Sequence, residues 1–380
     1  MKLFFCTTKA TLTVLSLLLL VPGIQAQPRA RAQVFFPDLP GYVTLRCDFH
    51  THTVFSDGTV WPTVRVEEAW RNGLDAIAIS DHIEYTPHKS DIPVNYGRSS
   101  EIARAAAEPL GILVIRGAEI TRGEPPGHLN AIFLTNTAAL DQKDYRVAIK
   151  NAVDQGAFLF WNHPGWKQPG RKAVWYAEQG EFLANGWLHG IEVLNGTDYE
   201  AGPHQWCIEK KLALVGNSDV HGPISFEYSG APGDHRPMTL VFARGRTEQD
   251  IREALFARRT VIFGGANIYG AAEFLEPLFA GSIQIVEPMA QVRGKARTSV
   301  QILNRAPLDF LLEFSPKPGG WEIPSALLLP SGKVASLPLR CLSDSASGDL
   351  ELNLPCSVSN LLTAPDKPLK TTVAVKMNTR

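Results

Sequence analysis

Six of the ten histidines in this 380-residue chain, together with several acids, fall at the ends of short apolar runs. His50 and His52 follow the run Val43–Cys47, with Asp57 just beyond; Asp81 and His82 follow Asp75–Ser80; Glu119 closes Ile112–Ile120. His163 follows Ala157–Trp161, Glu192 lies within Gly190–Leu194, and Asp219 and His221 follow Leu212–Val215. His128 is the exception, opening the run Leu129–Leu134 directly after a Pro/Gly-rich turn. Alternate residues of an extended chain point to the same side, so His50 and His52 can reach one ion, as can Asp219 and His221. Neutral imidazole and carboxylate suit Zn, Mn or Fe, and the chain has no C-x-x-C pair to favour a softer ion. Nine candidate ligands, His50, His52, Asp57, His82, Glu119, His128, His163, Asp219 and His221, are too many for one ion. They fit two or three divalent ions with a carboxylate such as Glu119 shared between them. A single H-x-H is weak evidence; the placement of the whole set carries the reading. Glu192 reads as a residue behind the ligands, and His189 and His204 as surface or packing residues.

The elements that must position these side chains are legible as alternation. Between residues 41 and 265 the seven runs named above are rich in Val, Ile, Leu and Phe and nearly continuous in apolarity, as expected of strands covered on both faces. Helix-like stretches lie between many of them, at Thr63–Asn72, Ser99–Ala107, Lys143–Gln155, His204–Lys211 and Glu248–Arg258. Strand–helix alternation repeated this often predicts an α/β barrel, in which chemistry gathers at the carboxyl ends of the strands. Past residue 265 the pattern becomes short strands separated by Pro and Gly with no clear helix, which predicts a small β-sandwich-like domain over 266–380.

The first 26 residues read as a secretory signal: Lys2 and Lys9, an apolar run Thr11–Val21, then Pro22, Gly23 and Ala26. The run is too short to span a bilayer, no later one is long enough, and a linker follows over 27–40. The expectation is an exported protein, periplasmic or extracellular, in which Cys341 and Cys356 could pair. A formal net charge of −1 gives no global field for nucleic acid, and none is expected as a partner.

The segment Asp48-Phe-His-Thr-His-Thr-Val-Phe-Ser-Asp-Gly, with Ile-Ser-Asp-His ending at His82, resembles the PHP (polymerase and histidinol phosphatase) domain. The likeness continues through Gly-Ala-Glu-Ile-Thr around Glu119, Gly-His-Leu-Asn at His128, Asn-His-Pro at His163 and Asn-Ser-Asp-Val-His ending at His221. It implies a distorted (β/α)7 barrel and a trinuclear metal centre. By resemblance, His50, His52, Glu119 and Asp219 would hold one ion, Glu119, His128 and His163 a second, and Asp57, His82 and His221 a third. Some members carry His where this chain has Asp57. The loop Asp-His-Ile-Glu-Tyr-Thr-Pro-His-Lys-Ser-Asp-Ile resembles the exported Sb-PDE type of phosphodiesterase more narrowly.

These readings converge on metal-dependent hydrolysis of phosphoesters, phosphodiesters foremost, by attack of a metal-bound hydroxide. Asp81, His82 and His221 are the candidate catalytic residues, with Asp81 orienting His82 or capping the strand end; Lys89 and Arg98 are candidate phosphate holders. A phosphomonoesterase or nuclease would use the same metal core. An amidohydrolase also begins with H-x-H but commonly places a modified Lys at a middle strand end, which is not seen here. A non-catalytic, metal-stabilised binding protein is the remaining alternative.

Overall fold

A computed structural model describes residues 30–379 apart from 232, 288, 316–317 and 343–347. The signal reading over residues 1–26 lies outside the described residues.

The barrel begins with three parallel strands, β1 (Val43–Asp48), β2 (Ala76–Ile79) and β3 (Leu113–Ile120), connected by helices α1 (Pro62–Arg71) and α2 (Arg98–Ala107). Their apolar runs are buried on both faces, as the near-continuous Val/Ile/Ala/Leu content requires. Pro62 starts α1 with a φ already suited to a helix, and Gly73 ends it at φ +80, where a Cβ would meet the Ala32 carbonyl oxygen at 2.7 Å. Next, β4 (Leu129–Ile132) runs antiparallel to both β3 and β5 (Phe158–Trp161). This reversal accounts for His128: the start of an antiparallel strand lies at the same end of the barrel as the carboxyl ends of its neighbours. After α3 (Tyr145–Asp154) and α4 (Ala177–Ala184), β6 (Gly190–Asn195) is extended by a two-residue strand β7 (Asp198–Tyr199). Beyond α5 (Ala201–Lys210), β8 (Ala213–Asn217) pairs parallel to β6.

Seven strands thus form the ring, with β7 an appendage. Closure between β8 and β1 occurs just past their ends, where the Asp219 amide donates to His50 O at 2.9 Å and the His52 amide to Val220 O at 3.1 Å. Along its length, the edge of β1 away from β2 pairs instead with β9 (Met238–Ala243), which follows the one-turn helix α6 (Ile224–Glu227). Thr239 in β9 ties back to β8, its hydroxyl accepting from Gly216 N and donating to Gly216 O. The barrel is therefore distorted, and its sheet runs out through β9, β10 (Thr260–Gly264) and β11 (Asn267–Gly270). Between β9 and β10, helix α7 (Glu248–Phe256) is opened by a capping box in which Thr247 and Asp250 satisfy each other's backbone amides.

The final strand of that run pairs with the strand Gly348–Ala364, so the barrel sheet continues into one face of a C-terminal sandwich. The opposing face is a four-stranded sheet of Ile283–Ile285, Arg297–Asn304, Val334–Cys341 and Trp321–Glu322. Ile302, Leu337 and Leu339 of that sheet bury in one apolar cluster with Phe310, Leu354 and Val373 of the other, and with Leu240, Phe263 and Leu278 on the barrel side.

Three sequence expectations change. A helix does occur past residue 265: α8 (Ala272–Ser282) buries Leu275, Leu278, Phe279 and Ser282 on one face, but Pro277 inside it and Gly281 near its end read as breaks in the sequence. The last two strands, Gly348–Ala364 and Lys367–Thr379, are 17 and 13 residues long rather than short. Cys341 and Cys356 are buried in opposite sheets of the sandwich and are not joined to each other by a disulfide.

His189 and His204 are packing residues. His189 stacks on Phe158, meets Phe256 edge-on and accepts a 3.0 Å hydrogen bond from the Leu159 amide; His204 is buried against Tyr199, 2.8 Å from its hydroxyl. Burial lowers both imidazoles to about 4. Because these folded-state values lie below the unfolded value near 6.5, the unfolded chain takes up protons first as pH falls, and stability declines from about pH 6.5 towards 4. His189→Ala should lower unfolding stability by about 1–3 kcal/mol, since it orphans a backbone amide, and should flatten that acid slope while leaving metal content unchanged. Urea titrations between pH 4 and 7 check both outcomes.

Candidate metal centre

The ends of the barrel strands bring all nine proposed ligands to one mouth, and Glu119 stands at their centre. Glu119 is fully buried at the end of β3. Its Oε2 lies 3.3 Å from His50 Nε2, 3.3 Å from His52 Nε2 and 3.0 Å from His82 Nδ1. Its Oε1 faces the other way, 2.8 Å from His128 Nδ1 and 3.7 Å from His163 Nε2. Asp219 Oδ1 lies 3.1 Å from His50 Nε2 and 3.0 Å from His52 Nε2. Asp57 Oδ1 is 3.3 Å from His221 Nε2, 3.4 Å from His82 Nε2 and 3.8 Å from His52 Nδ1. Ligand atoms gather in four overlapping groups: His52, Asp57, His82 and His221; His50, His163 and Asp219; His50, His52 and Glu119; and His82, Glu119 and His128. His52 and His82 therefore face two groups each, where the family likeness gave each of them one.

Metal ions fit this donor set. His52 Nε2, Asp57 Oδ1 and Asp219 Oδ1 are buried with no hydrogen-bond partner, because the close contacts around them are poorly aligned for one. Leaving such atoms unsatisfied costs about 1–3 kcal/mol each, a cost that coordination removes. Asp57, Glu119 and Asp219 also present three negative charges if the imidazoles are neutral, more than one divalent ion balances. Protons are the alternative counter-charge. Burial alone would depress His82, yet Glu119 and Asp57 outweigh it and push the imidazole up to about 10. His50, His163 and His221 are likewise raised by their carboxylates against the effect of burial. His52 is the exception, lowered to about 3 by burial and by the neighbouring His82.

A surrounding layer fixes the donors. Glu192, fully buried on β6, takes His50 Nδ1 at 3.0 Å, so that the other ring nitrogen faces the cluster, and accepts the His163 amide at 3.0 Å. His163 and Asp219 both sit at positive φ, 28° and 53°, conformations that cost a non-glycine residue about 1–3 kcal/mol and are held by these backbone bonds. Asp48 accepts from the His50 and Ser218 amides at 3.2 Å each and pairs with buried Arg236 at 2.7 Å.

Sequence reasoning missed Arg65. This fully buried guanidinium on α1 donates to His52 O (2.7 Å), Val220 O (3.0 Å), His221 O (2.8 Å) and Gly222 O (2.8 Å), locking together the two segments that carry four ligands. Glu68 neutralises it at 2.6 Å. In the sequence it is one arginine of an amphipathic helix, without any motif to mark it.

Asp81 requires a correction. Its carboxylate accepts from the Thr53 amide (2.7 Å), the Thr53 hydroxyl and the Ser56 hydroxyl (2.9 Å), anchoring the turn that leads to Asp57. His82 is met instead by the Thr121 hydroxyl, 2.5 Å from Nδ1. Lys89 and Arg98 also change: both are exposed, Arg98 pairs with Glu101 at 3.1 Å, and neither lines the two cavities beside the cluster. The cation at the mouth is Lys167, whose ammonium lies 4.2 Å from the centre of the Trp166 ring.

A sequence model of an Ig-like domain matches residues 283–374. A two-domain protein from Bacteroides vulgatus, containing a predicted PHP-like metal-dependent phosphoesterase, has a crystal structure 42% identical to this chain with a TM-score of 0.84. That match covers 91% of this chain and 99% of the other. An uncharacterised protein of Methanocaldococcus jannaschii is 38% identical over 81 residues, 21% of this chain, which spans 36% of that curated relative. The chain belongs to the PHP-like metal-dependent phosphoesterase family in its two-domain form, a distorted barrel followed by an Ig-like sandwich.

Two outcomes follow from the geometry. Titrating Zn or Mn into metal-free protein at pH 7 should release protons, because the carboxylates outweigh burial and hold His50 and His82 protonated, and both must be neutral to coordinate. Calorimetry in buffers of different ionisation enthalpy reads this as a buffer-dependent heat, to which His82, pushed up to about 10 by its carboxylates against burial, is the main contributor. Arg65→Met should weaken metal affinity about 10–100-fold, with Arg65→Lys recovering part of it; elemental analysis after dialysis measures the retained metal.

Proposed function

We propose that the protein hydrolyses phosphodiesters at this cluster, with two or three divalent ions of the Zn, Mn or Fe type. The supporting observation is the position of Glu119, one buried carboxylate whose two oxygens face two different sets of imidazoles. Cations held there would lower the pKa of water towards about 7 and balance the charge of the phosphoryl oxygens. The chain's own contribution is placement. Glu192 fixes which nitrogen of His50 faces the centre, and Asp81 holds the turn carrying Asp57. His82 and His221 lie on either side of Asp57, and both line the open mouth. Lys167 lines that mouth without an acidic partner among the described residues, where its ammonium can meet a non-bridging phosphate oxygen. One such cation suits a small substrate better than a polynucleotide backbone, which needs a track of them.

Export is part of the same proposal: the leader over residues 1–26 and the likeness to Sb-PDE-type enzymes suit a phosphodiesterase acting outside the cytoplasm. No helix among the described residues is long and apolar enough to cross a membrane.

With Mn or Zn supplied, kcat/KM should be higher on bis(p-nitrophenyl) phosphate than on p-nitrophenyl phosphate, and oligonucleotides should be poor substrates. Faster cleavage of the monoester would move the assignment to a phosphomonoesterase. Lys167→Ala should raise KM about three- to tenfold with little change in kcat, the pattern of a lost ground-state contact.

A further inference from the structure

Two cavities open on the metal cluster, with Trp166 between them. One, of about 560 Å³, is lined by Tyr85, His82, His128 and Lys167; the other, of about 500 Å³, by Arg171, Thr197, Asp198 and Glu200. They share His163, Asp219 and Trp166, so both reach the same ligands. A phosphorus atom placed at the cluster has room for an arm on each side. We propose that the substrate is a phosphodiester with unlike arms, a flat aromatic group on the Tyr85 side of Trp166 and a neutral, hydroxyl-bearing group on the Glu200 side. The proposal rests on the phosphodiester reading above.

The aromatic side is argued from exposure. Tyr85 is 53% exposed and Trp166 44% exposed, although both touch buried ligands, Tyr85 edge-on to His82 at 6.0 Å and Trp166 edge-on to His128 at 5.3 Å and His163 at 5.2 Å. Two large rings left open beside a metal site offer an apolar, π-bearing surface to a planar substituent. The polar side is argued from unmet hydrogen bonding. Arg171 is already paired with Asp198, and burial pushes the Glu200 carboxyl up to about 7, so near neutral pH it is a polar group with at most a partial charge. Glu200 Oε1 accepts from the Gly165 amide at 3.0 Å, whereas Oε2 is buried without a partner. Such a carboxyl group can exchange hydrogen bonds with a hydroxyl of a neutral arm, with the Thr197 side chain on the same wall.

The test keeps one leaving group and varies the other arm. On the Mn-loaded full chain, 4-hydroxybutyl p-nitrophenyl phosphate, whose hydroxyl is too distant to attack its own phosphorus readily, should have kcat/KM about tenfold above butyl p-nitrophenyl phosphate, since a wall built to bond hydroxyls discriminates against an arm lacking them. That ratio should fall towards one in Glu200→Gln and in Thr197→Val, whatever either change does to the absolute rate. For the aromatic arm, methyl phenylphosphonate should inhibit competitively about fivefold more tightly than methyl propylphosphonate, and Tyr85→Ala should abolish the difference. Equal kcat/KM for the 4-hydroxybutyl and butyl esters in the unaltered protein would overturn the polar arm, and equal inhibition by the two phosphonates the aromatic one. Both leave the phosphodiester reading standing. If neither diester is cleaved while p-nitrophenyl phosphate is, that reading itself fails.

Discussion

A carboxylate buried in the middle of a protein must find positive charge, and Glu119 is such a carboxylate. Five imidazoles face it, those of His50, His52, His82, His128 and His163, and the only other side-chain partner among the described residues is the neutral Asn162 amide at 2.9 Å, so the charge comes either from protons on the histidines or from cations between them. The two states compete for the same nitrogens. Most of what surrounds the site is arranged around that constraint: Glu192 fixes one imidazole, Thr121 meets another, and Asp57 and Asp219 add negative charge that no lysine or arginine offsets at close range. A purely structural cluster would be expected to include an arginine or lysine partner. Here the arginines, Arg65 and Arg236, stand behind the ligands and hold their backbone segments.

The scaffold explains how donors remote in sequence converge. Parallel strands deliver His50, His82, Glu119, His163 and Asp219 at one end of the ring, and the reversed strand β4 delivers His128 to that end from its beginning. The ring closes through the ligand segments themselves, because the Asp219 and His52 amides bond across to the His50 and Val220 carbonyls. Folding of the barrel and assembly of the cluster are thus the same event at that seam. On the far side, β9 leaves the ring and leads the sheet into the Ig-like domain, whose core is continuous with the outer apolar layer of the barrel.

Much of this was legible in the sequence because both signals are local. Strands buried on two faces read as runs such as Ala76–Ile79 and Phe158–Trp161, and ligands flank those runs. The direction of β4 was not legible, since parallel and antiparallel pairing leave the same short apolar run. Arg65 and Glu200 were invisible for another reason: their roles depend on backbone carbonyls and a cavity wall assembled from distant segments. Lys89 and Arg98 illustrate the converse. Charge on a loop near a ligand in sequence suggested substrate contact, whereas the cation that lines the mouth, Lys167, follows His163 on a tight turn. Helix α8 escaped because its short periodic face, Leu275, Leu278 and Phe279, is interrupted by Pro277 and followed by Gly281, both of which read as breakers.

The central claim is that divalent cations, rather than protons alone, balance Glu119. Anomalous diffraction from crystals equilibrated with Mn or Zn tests it most directly. The account predicts at least two peaks, one on each side of the Glu119 carboxylate, within coordination distance of His50, His52 and Asp219 on one side and of His128 and His163 on the other. No peak at all, or a single peak that does not touch Glu119, would contradict it.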